Sequence, residues 1–223
     1  MKKIPIYEII YTIEKKVTGV DDRQILDFID PENDSPERYD KYQEIYFDFI
    51  GDDFDLGKFN GDKKAKPTDM LSSNFLTTSG FFISQAFSKL LEGFIICNAR
   101  YRDVYIKGLS EKKEYRFLNL SVCPNIDFKQ SSFVIKVNNA EKDQEEIKLS
   151  SLDDFKSKLN KLRSKNGFGY RIQPQKLVLK QKYDLFRYEI SGRFLISAEL
   201  KNALEKSDLK GYKIKPFDLE VFI

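Results

Sequence analysis

Histidine is absent from all 223 residues, and that narrows the chemistry at once. A serine or cysteine nucleophile activated by histidine is excluded, as is any histidine metal ligand. Cys97 and Cys123 are the only thiols, too few for a four-cysteine zinc site or a disulfide framework. Each stands in an apolar, strand-like stretch, so both are read as small buried hydrophobes. A reactive thiolate needs exposure and a nearby cation. Asp53, Asp55 and Gly57 match the opening of a calcium loop, but the twelfth position is Lys64, where a bidentate glutamate is required. The stretch KNGFGYRI offers only Gly167 and Gly169, with no third glycine and no helix opening behind them, so it makes no phosphate cradle. The carboxylate pairs Asp21/Asp22 and Asp153/Asp154 lack the apolar surroundings that tune an acid or a base. No GxSxG, P-loop or SxxK pattern stands in a fitting context. The expectation is a chain without catalysis, cofactor or metal.

The stronger signal is charge. Between Asp21 and Asp55 thirteen acids face only Arg23, Arg38 and Lys41, a local charge of −10 in a chain whose total is +3. Fields of that size steer partners. Phe28, Tyr39, Tyr42, Tyr46, Phe47, Phe49 and Phe54 interleave the acids, and any left exposed are natural interface anchors. The candidate contact residues are Asp27, Asp30, Tyr39, Tyr42, Glu44, Asp48, Asp52 and Asp53, and the partner is expected to carry a basic surface. Lys156, Lys158, Lys161, Arg163 and Lys165 gather on and after one helix. No nucleic-acid motif accompanies them, so a solvated face is expected rather than a nucleic-acid partner.

The elements that position these residues follow from pattern. A hydrophobic fraction of 41% with 14% aromatics and 33% charge describes a soluble folded globule. No apolar run approaches the roughly 20 residues a bilayer span needs. The start, MKKIPIYEIIYTIEKK, carries Glu8 inside its apolar part and no small-residue cleavage site. It reads as a first strand, Ile4 to Ile13, and the protein as cytoplasmic. Val20 to Ile29 reads as a short helix or irregular segment, Ile45 to Ile50 as a strand, and Gly51 to Pro67 as a long surface loop. Strands are expected at Phe94 to Cys97, at Tyr101 to Ile106 paired with Tyr115 to Cys123, and at Phe133 to Val137. Ser150 to Leu162 is the best helix, with Ser151 and Asp154 as a capping-box variant and Leu152, Phe155, Leu159 and Leu162 as its apolar stripe. Lys176 to Lys180 is expected to pair with Leu185 to Ile190 as a hairpin, and Leu219 to Ile223 forms a last strand. About three helices among some ten strands predict an α+β fold, mainly antiparallel. Its halves, 1–130 and 131–223, are expected to pack as one compact unit.

One grammar occurs twice. In SGRFLISAELKNALEKSDLKGYKIKPF, Ser191 to Phe217, an apolar strand meets Ser197 as a helix cap. Leu200, Ala203 and Leu204 follow at helical spacing, and Gly211 precedes a strand that closes at Pro216. In SGFFISQAFSKLLEGFIICNARY, Ser79 to Tyr101, Phe82, Ile83 and Ser84 align with Leu195, Ile196 and Ser197, and Phe87 and Leu91 with Leu200 and Leu204. Gly93 then answers Gly211 after a five-residue shortening. This spacing suggests an internal duplication.

These two segments, with YRFLNLSVCPNIDF and SSF between them, resemble the bacterial polymorphic-toxin immunity proteins of the immunity-protein eleven and forty-three group. The similarity covers Ser79 to Phe133 and Ser191 to Phe217 and reaches the first seventy residues only as a general layout. The chain departs from the group in lacking tryptophan and in its acidic N-terminal part. The resemblance implies a small cytoplasmic protein that binds and neutralises a cognate secreted toxin without catalysis. Two other classes stay open: a carboxylate-dependent hydrolase, marked by a deep pocket with two facing carboxylates, and an adaptor or regulatory module with no adjacent toxin gene.

Overall fold

The computed structural model describes residues 1–28, 56, 58–73, 79–109, 113–137, 145–167 and 169–223. The chain opens with strands β1 (Lys3–Ile4) and β2 (Ile6–Tyr11) and the one-turn helix α1 (Lys15–Thr18). Strands β3 (Ile25–Phe28), β4 (Lys58–Gly61) and β5 (Met70–Leu71) lead to β6 (Gly80–Ser84), helix α2 (Gln85–Leu91), β7 (Ala99–Lys107), β8 (Tyr115–Leu120) and β9 (Val122–Cys123). After β10 (Ser132–Val137) and β11 (Glu145–Ile147) come helix α3 (Leu152–Asn166), β12 (Tyr170–Val178) and β13 (Leu185–Tyr188). Strand β14 (Phe194–Ser197), helix α4 (Ala198–Lys206), β15 (Tyr212–Pro216) and β16 (Glu220–Phe222) end the chain. The fold is α+β, dominated by strands.

Among the described residues the strands form three sheets, ordered β1-β16-β12-β10-β11, β15-β2-β14-β13-β9 and β3-β4-β7-β8-β6-β5. They are mainly antiparallel, as expected, but mixed, since β12–β16, β13–β9 and β4–β7 pair parallel. Strands from the first eleven residues lie in the same sheets as strands of the last fifty.

The twofold grammar is built in three dimensions. Ser84 and Ser197 take the same backbone conformation, φ/ψ −69°/163° and −71°/164°, and each accepts the N–H three residues on, from Phe87 and Leu200. Register repeats too. Met70 faces Ile83 and Leu71 faces Phe82, as Leu185 faces Ile196 and Phe186 faces Leu195. On the other side Ser84 faces Tyr115 of β8, whereas Ser197 faces Ile6 of β2. The first unit is thus β5-β6-β8-β7 and the second β13-β14-β2-β15, the second completed by a strand from the chain's other end. Phe81 and Phe194 occupy equivalent positions and touch, ring centroids 4.2 Å apart. Equivalent residues of the two units thus meet where the units join. Phe87, Leu91 and Leu118 of one unit share a single core with Ile9, Leu200 and Leu204 of the other.

A reciprocal joint locks the two units. The Ser84 hydroxyl donates to Asp69 Oδ1 (2.9 Å) while Asp69 Oδ2 accepts the Lys210 N–H (2.9 Å), which follows the other unit's helix. The Ser197 hydroxyl donates to Asp184 Oδ1 (2.6 Å) while Asp184 Oδ2 accepts the Ile95 N–H (3.0 Å), which follows the first unit's helix. The backbone repeats the exchange: the Asp69 N–H donates to Lys210 O and the Asp184 N–H to Ile95 O, each at 2.7 Å. Each aspartate therefore satisfies its own helix cap and the loop of its twin. The β1-β16-β12-β10-β11 sheet, with α3 packed across β12, builds a second core around Phe133, Phe155, Leu177 and Val221.

Several sequence expectations are corrected. The counterpart of Gly211 (φ +105°) is Asn98 (φ +49°), not Gly93: both lie fourteen residues after the cap serine, so the first unit has no shortening. Phe94 to Cys97 is a turn that touches β13 through an isolated bridge at Ile96, because its backbone serves the Asp184 joint. Val20 to Ile29 holds β3 rather than a helix: the Gln24 and Ile25 N–H groups both donate to Ser72 O, drawing the segment into a sheet. Within the expected loop Gly51 to Pro67 lies β4, whose Phe59 is fully buried. The stretches Lys176 to Lys180 and Leu185 to Ile190 do not pair. β12 joins β10 and β16, while β13 joins β14 and β9 in another sheet. The expected strand Ile45 to Ile50 lies outside the described residues. Ser151 caps α3 as read, accepting from the Asp154 N–H, and Asp154 reaches back to the Ser150 N–H.

The two cysteines are not separate thiols: Cys97 and Cys123 form a disulfide across 26 positions. Cys97 precedes β7 and Cys123 follows β8, so the open ends of one hairpin meet. Both also dock on β13, through Cys97 N–H to Leu185 O and the pairing of Cys123 with Tyr188. Cross-linking a loop of this length removes unfolded-state entropy worth about 3 kcal/mol. The double substitution Cys97→Ala and Cys123→Ala, or reduction of the wild type, is therefore expected to lower urea-unfolding stability by about that amount.

Candidate functional site

Of the charged and aromatic residues singled out in the sequence, Asp27 lies in β3, paired with Asn60 of β4. Asp30, Tyr39, Tyr42, Glu44, Asp48, Asp52 and Asp53 lie outside the described residues, as do Asp55 and Gly57 of the calcium-like run. The described strands nevertheless fix where the acidic segment is rooted. The chain leaves β3 at Phe28 and re-enters β4 at Lys58, and Lys58 is paired with Tyr105 of β7. The acidic segment is thus tethered at both ends to the sheet that carries β7.

Strand β7 exposes an alternating face. Tyr101 is 39% and Tyr105 59% exposed, and between them Asp103 accepts the Arg116 Nε–H from β8 at 2.9 Å. Strand periodicity puts positions 101, 103 and 105 on one side, and Asp103 and Arg116 are direct cross-strand partners. Partial burial, with Glu92 nearby, raises the Tyr101 phenol above its ordinary value.

A groove of about 640 Å³ runs beside this face, between Asp103, Tyr105 and Leu109 on one wall and Lys113, Glu114 and Arg116 on the other. Its floor is rigid. The Tyr115 hydroxyl donates to Thr68 O at 2.9 Å, and Lys113 Nζ donates to Pro67 O and meets Asp69 Oδ1 at 3.5 Å. The groove is thereby fastened to the same Asp69 that joins the two units. Among the described residues no group of three or more His, Cys, Asp or Glu is placed to hold a metal.

Exposed tyrosines beside paired, solvent-facing charges are the components of a protein contact surface. Tyrosine brings large area at small entropic cost, and the charges set register and association rate. The sequence reading found this strand but left its tyrosines out of the site. The available signal was the Tyr-x-Asp-x-Tyr alternation on a strand next to an acidic insertion. The chain matches no protein-family model and no curated protein. Among the described residues no helix is long and apolar enough to cross a membrane.

Proposed function

We propose that the chain is an immunity protein that binds a cognate secreted bacterial toxin one-to-one and neutralises it by covering its surface, without catalysis. The observation that carries this reading is the exposed Tyr101–Asp103–Tyr105 face of β7, in the sheet that anchors at Phe28 and Lys58 an intervening stretch of charge −8, ten acids against Arg38 and Lys41. Aromatic anchors beside a strong acidic field suit a partner with a basic surface. The resemblance of the two serine-capped units to the immunity-protein group supports the same class. Self-protection demands slow dissociation, which aromatic burial supplies, and fast capture, which charge supplies. The acidic segment is the steering part and the β7 face the anchoring part.

The site of action is proposed to be the cytoplasm. Reducing compartments keep cysteine pairs as thiols, so the Cys97–Cys123 pair would be reduced there, and the weaker fold would draw on toxin binding for stability.

Reversing four acids together, Asp27→Lys, Asp30→Lys, Glu44→Lys and Asp48→Lys, tests the steering part. Toxin association in stopped flow is expected to slow by about tenfold or more at low salt. The wild type's decline in rate with added salt should vanish in the variant, because screening acts only on the field that was removed. An unchanged rate and salt slope would remove this segment from the contact.

A further inference from the structure

A second pocket, of about 350 Å³, opens to the surface beside the other core, walled by α3, β12, the turn after β13 and the stretch around Phe217. That volume suits a small molecule. Its lining divides into two halves. Phe155 and Leu159 of α3, Ile172 of β12 and Phe217 make an apolar half. Arg163, Arg171 and Arg193 make a basic half, opposed by Asp218 alone among the acids of the lining. Arg193 leans toward Glu8 at 3.6 Å, while Arg163 and Arg171 make no ion pair with any described residue.

Two residues of this lining carry a buried polar atom with no hydrogen-bond partner among the described residues: Tyr188 at its hydroxyl and Arg163 at Nε. Tyr188 is 3% exposed and its ring packs against Phe217 at 5.7 Å. Folded proteins pair nearly all such groups, and leaving one unpaired costs about 1–3 kcal/mol. Both atoms carry hydrogens to donate. Burial raises the Tyr188 pKa far above its ordinary value, which keeps the phenol protonated as a donor. Two orphaned donors among three guanidinium groups call for an acceptor with negative charge, and the apolar half calls for a hydrocarbon body behind it.

We propose that this cavity binds a small amphipathic anion, a carboxylate or phosphate carried on an acyl or aryl body, with Arg163, Arg171 and the Tyr188 hydroxyl holding the head group. The site is built on a different sheet from the β7 face and does not depend on toxin binding.

Titration calorimetry of the full chain with octanoate, octyl phosphate and octan-1-ol tests it, the two anions separating carboxylate from phosphate. At least one anion is expected to saturate the protein below about 1 mM and to bind about tenfold or more tighter than the alcohol of equal chain length. Arg163→Gln should weaken that anion about tenfold, since it removes a charge-assisted pair. Tyr188→Phe should weaken it several-fold while leaving the ligand-free unfolding midpoint unchanged or raised, because the lost hydroxyl has no partner to forfeit. Failure of both anions to saturate, equal binding of octanol, or unchanged anion affinity in Arg163→Gln would each overturn the proposal. The Arg163 variant keeps the test decisive even where the buried tyrosine substitution perturbs folding.

Discussion

Gly211→Ala is expected to destabilise the fold by more than about 3 kcal/mol in urea unfolding, through two costs that add. The residue sits at φ +105°, where an L side chain is strained. A Cβ there would also lie 2.1 Å from Met70 O and 2.7 Å from Thr68 Oγ1. Met70 O is backbone, in a strand whose N–H already donates to Lys210 O, so relief requires opening the joint between the units. Gly192→Ala separates the two costs. It also has positive φ, +70°, but its nearest neighbour is Arg187 Nη2 at 3.6 Å. It should lose only about 1–2 kcal/mol, the strain alone. Equal losses at the two positions would show that close approach at the joint contributes nothing.

Asp69→Ala is expected to cost about 3 kcal/mol in the same measurement. The residue is 8% exposed and joins the Ser84 hydroxyl to the Lys210 N–H, so its removal strands a buried and a part-buried donor at once. Ser84→Ala alone should cost about 1–2 kcal/mol, a lost helix cap. The double variant should fall short of the sum by about 1 kcal/mol, because both changes break the same bond. Strict additivity would mean that the serine–aspartate contact carries no energy. Asp184→Ala, in the half-buried twin joint, should show the same pattern with a smaller loss, and that symmetry is itself a test of the duplication.

Local grammar was legible in the sequence where it is set by neighbours in the chain. Ser84, Ser151 and Ser197 cap their helices as the spacing predicts, and the α3 stripe of Leu152, Phe155, Leu159 and Leu162 faces its core. Long-range partnerships were not legible. Asp69 and Lys210 are 141 positions apart, and nothing in either segment announces the other. The expected hairpin of Lys176 to Lys180 with Leu185 to Ile190 failed for the same reason. A short turn between two apolar runs favours pairing, but here each run is claimed by a different sheet. Full burial of Arg187 is equally invisible to alternation, because β13 is covered on both faces. The disulfide was readable in principle, since Cys97 and Cys123 stand at the two open ends of a hairpin that the pattern itself predicts. Of the candidate site, the acidic field was legible as composition. The tyrosine face needed the parallel pairing of β4 with β7 to be seen beside it.

The most direct measurement is co-expression of the chain with the product of the neighbouring gene, the proposed toxin, scored for survival and followed by purification of both from the same cells. The account predicts survival and a one-to-one complex that dissociates slowly, lost when Tyr101 and Tyr105 are both changed to alanine in a chain that still folds. Cells that die despite abundant folded protein, or toxin that purifies alone, would contradict it.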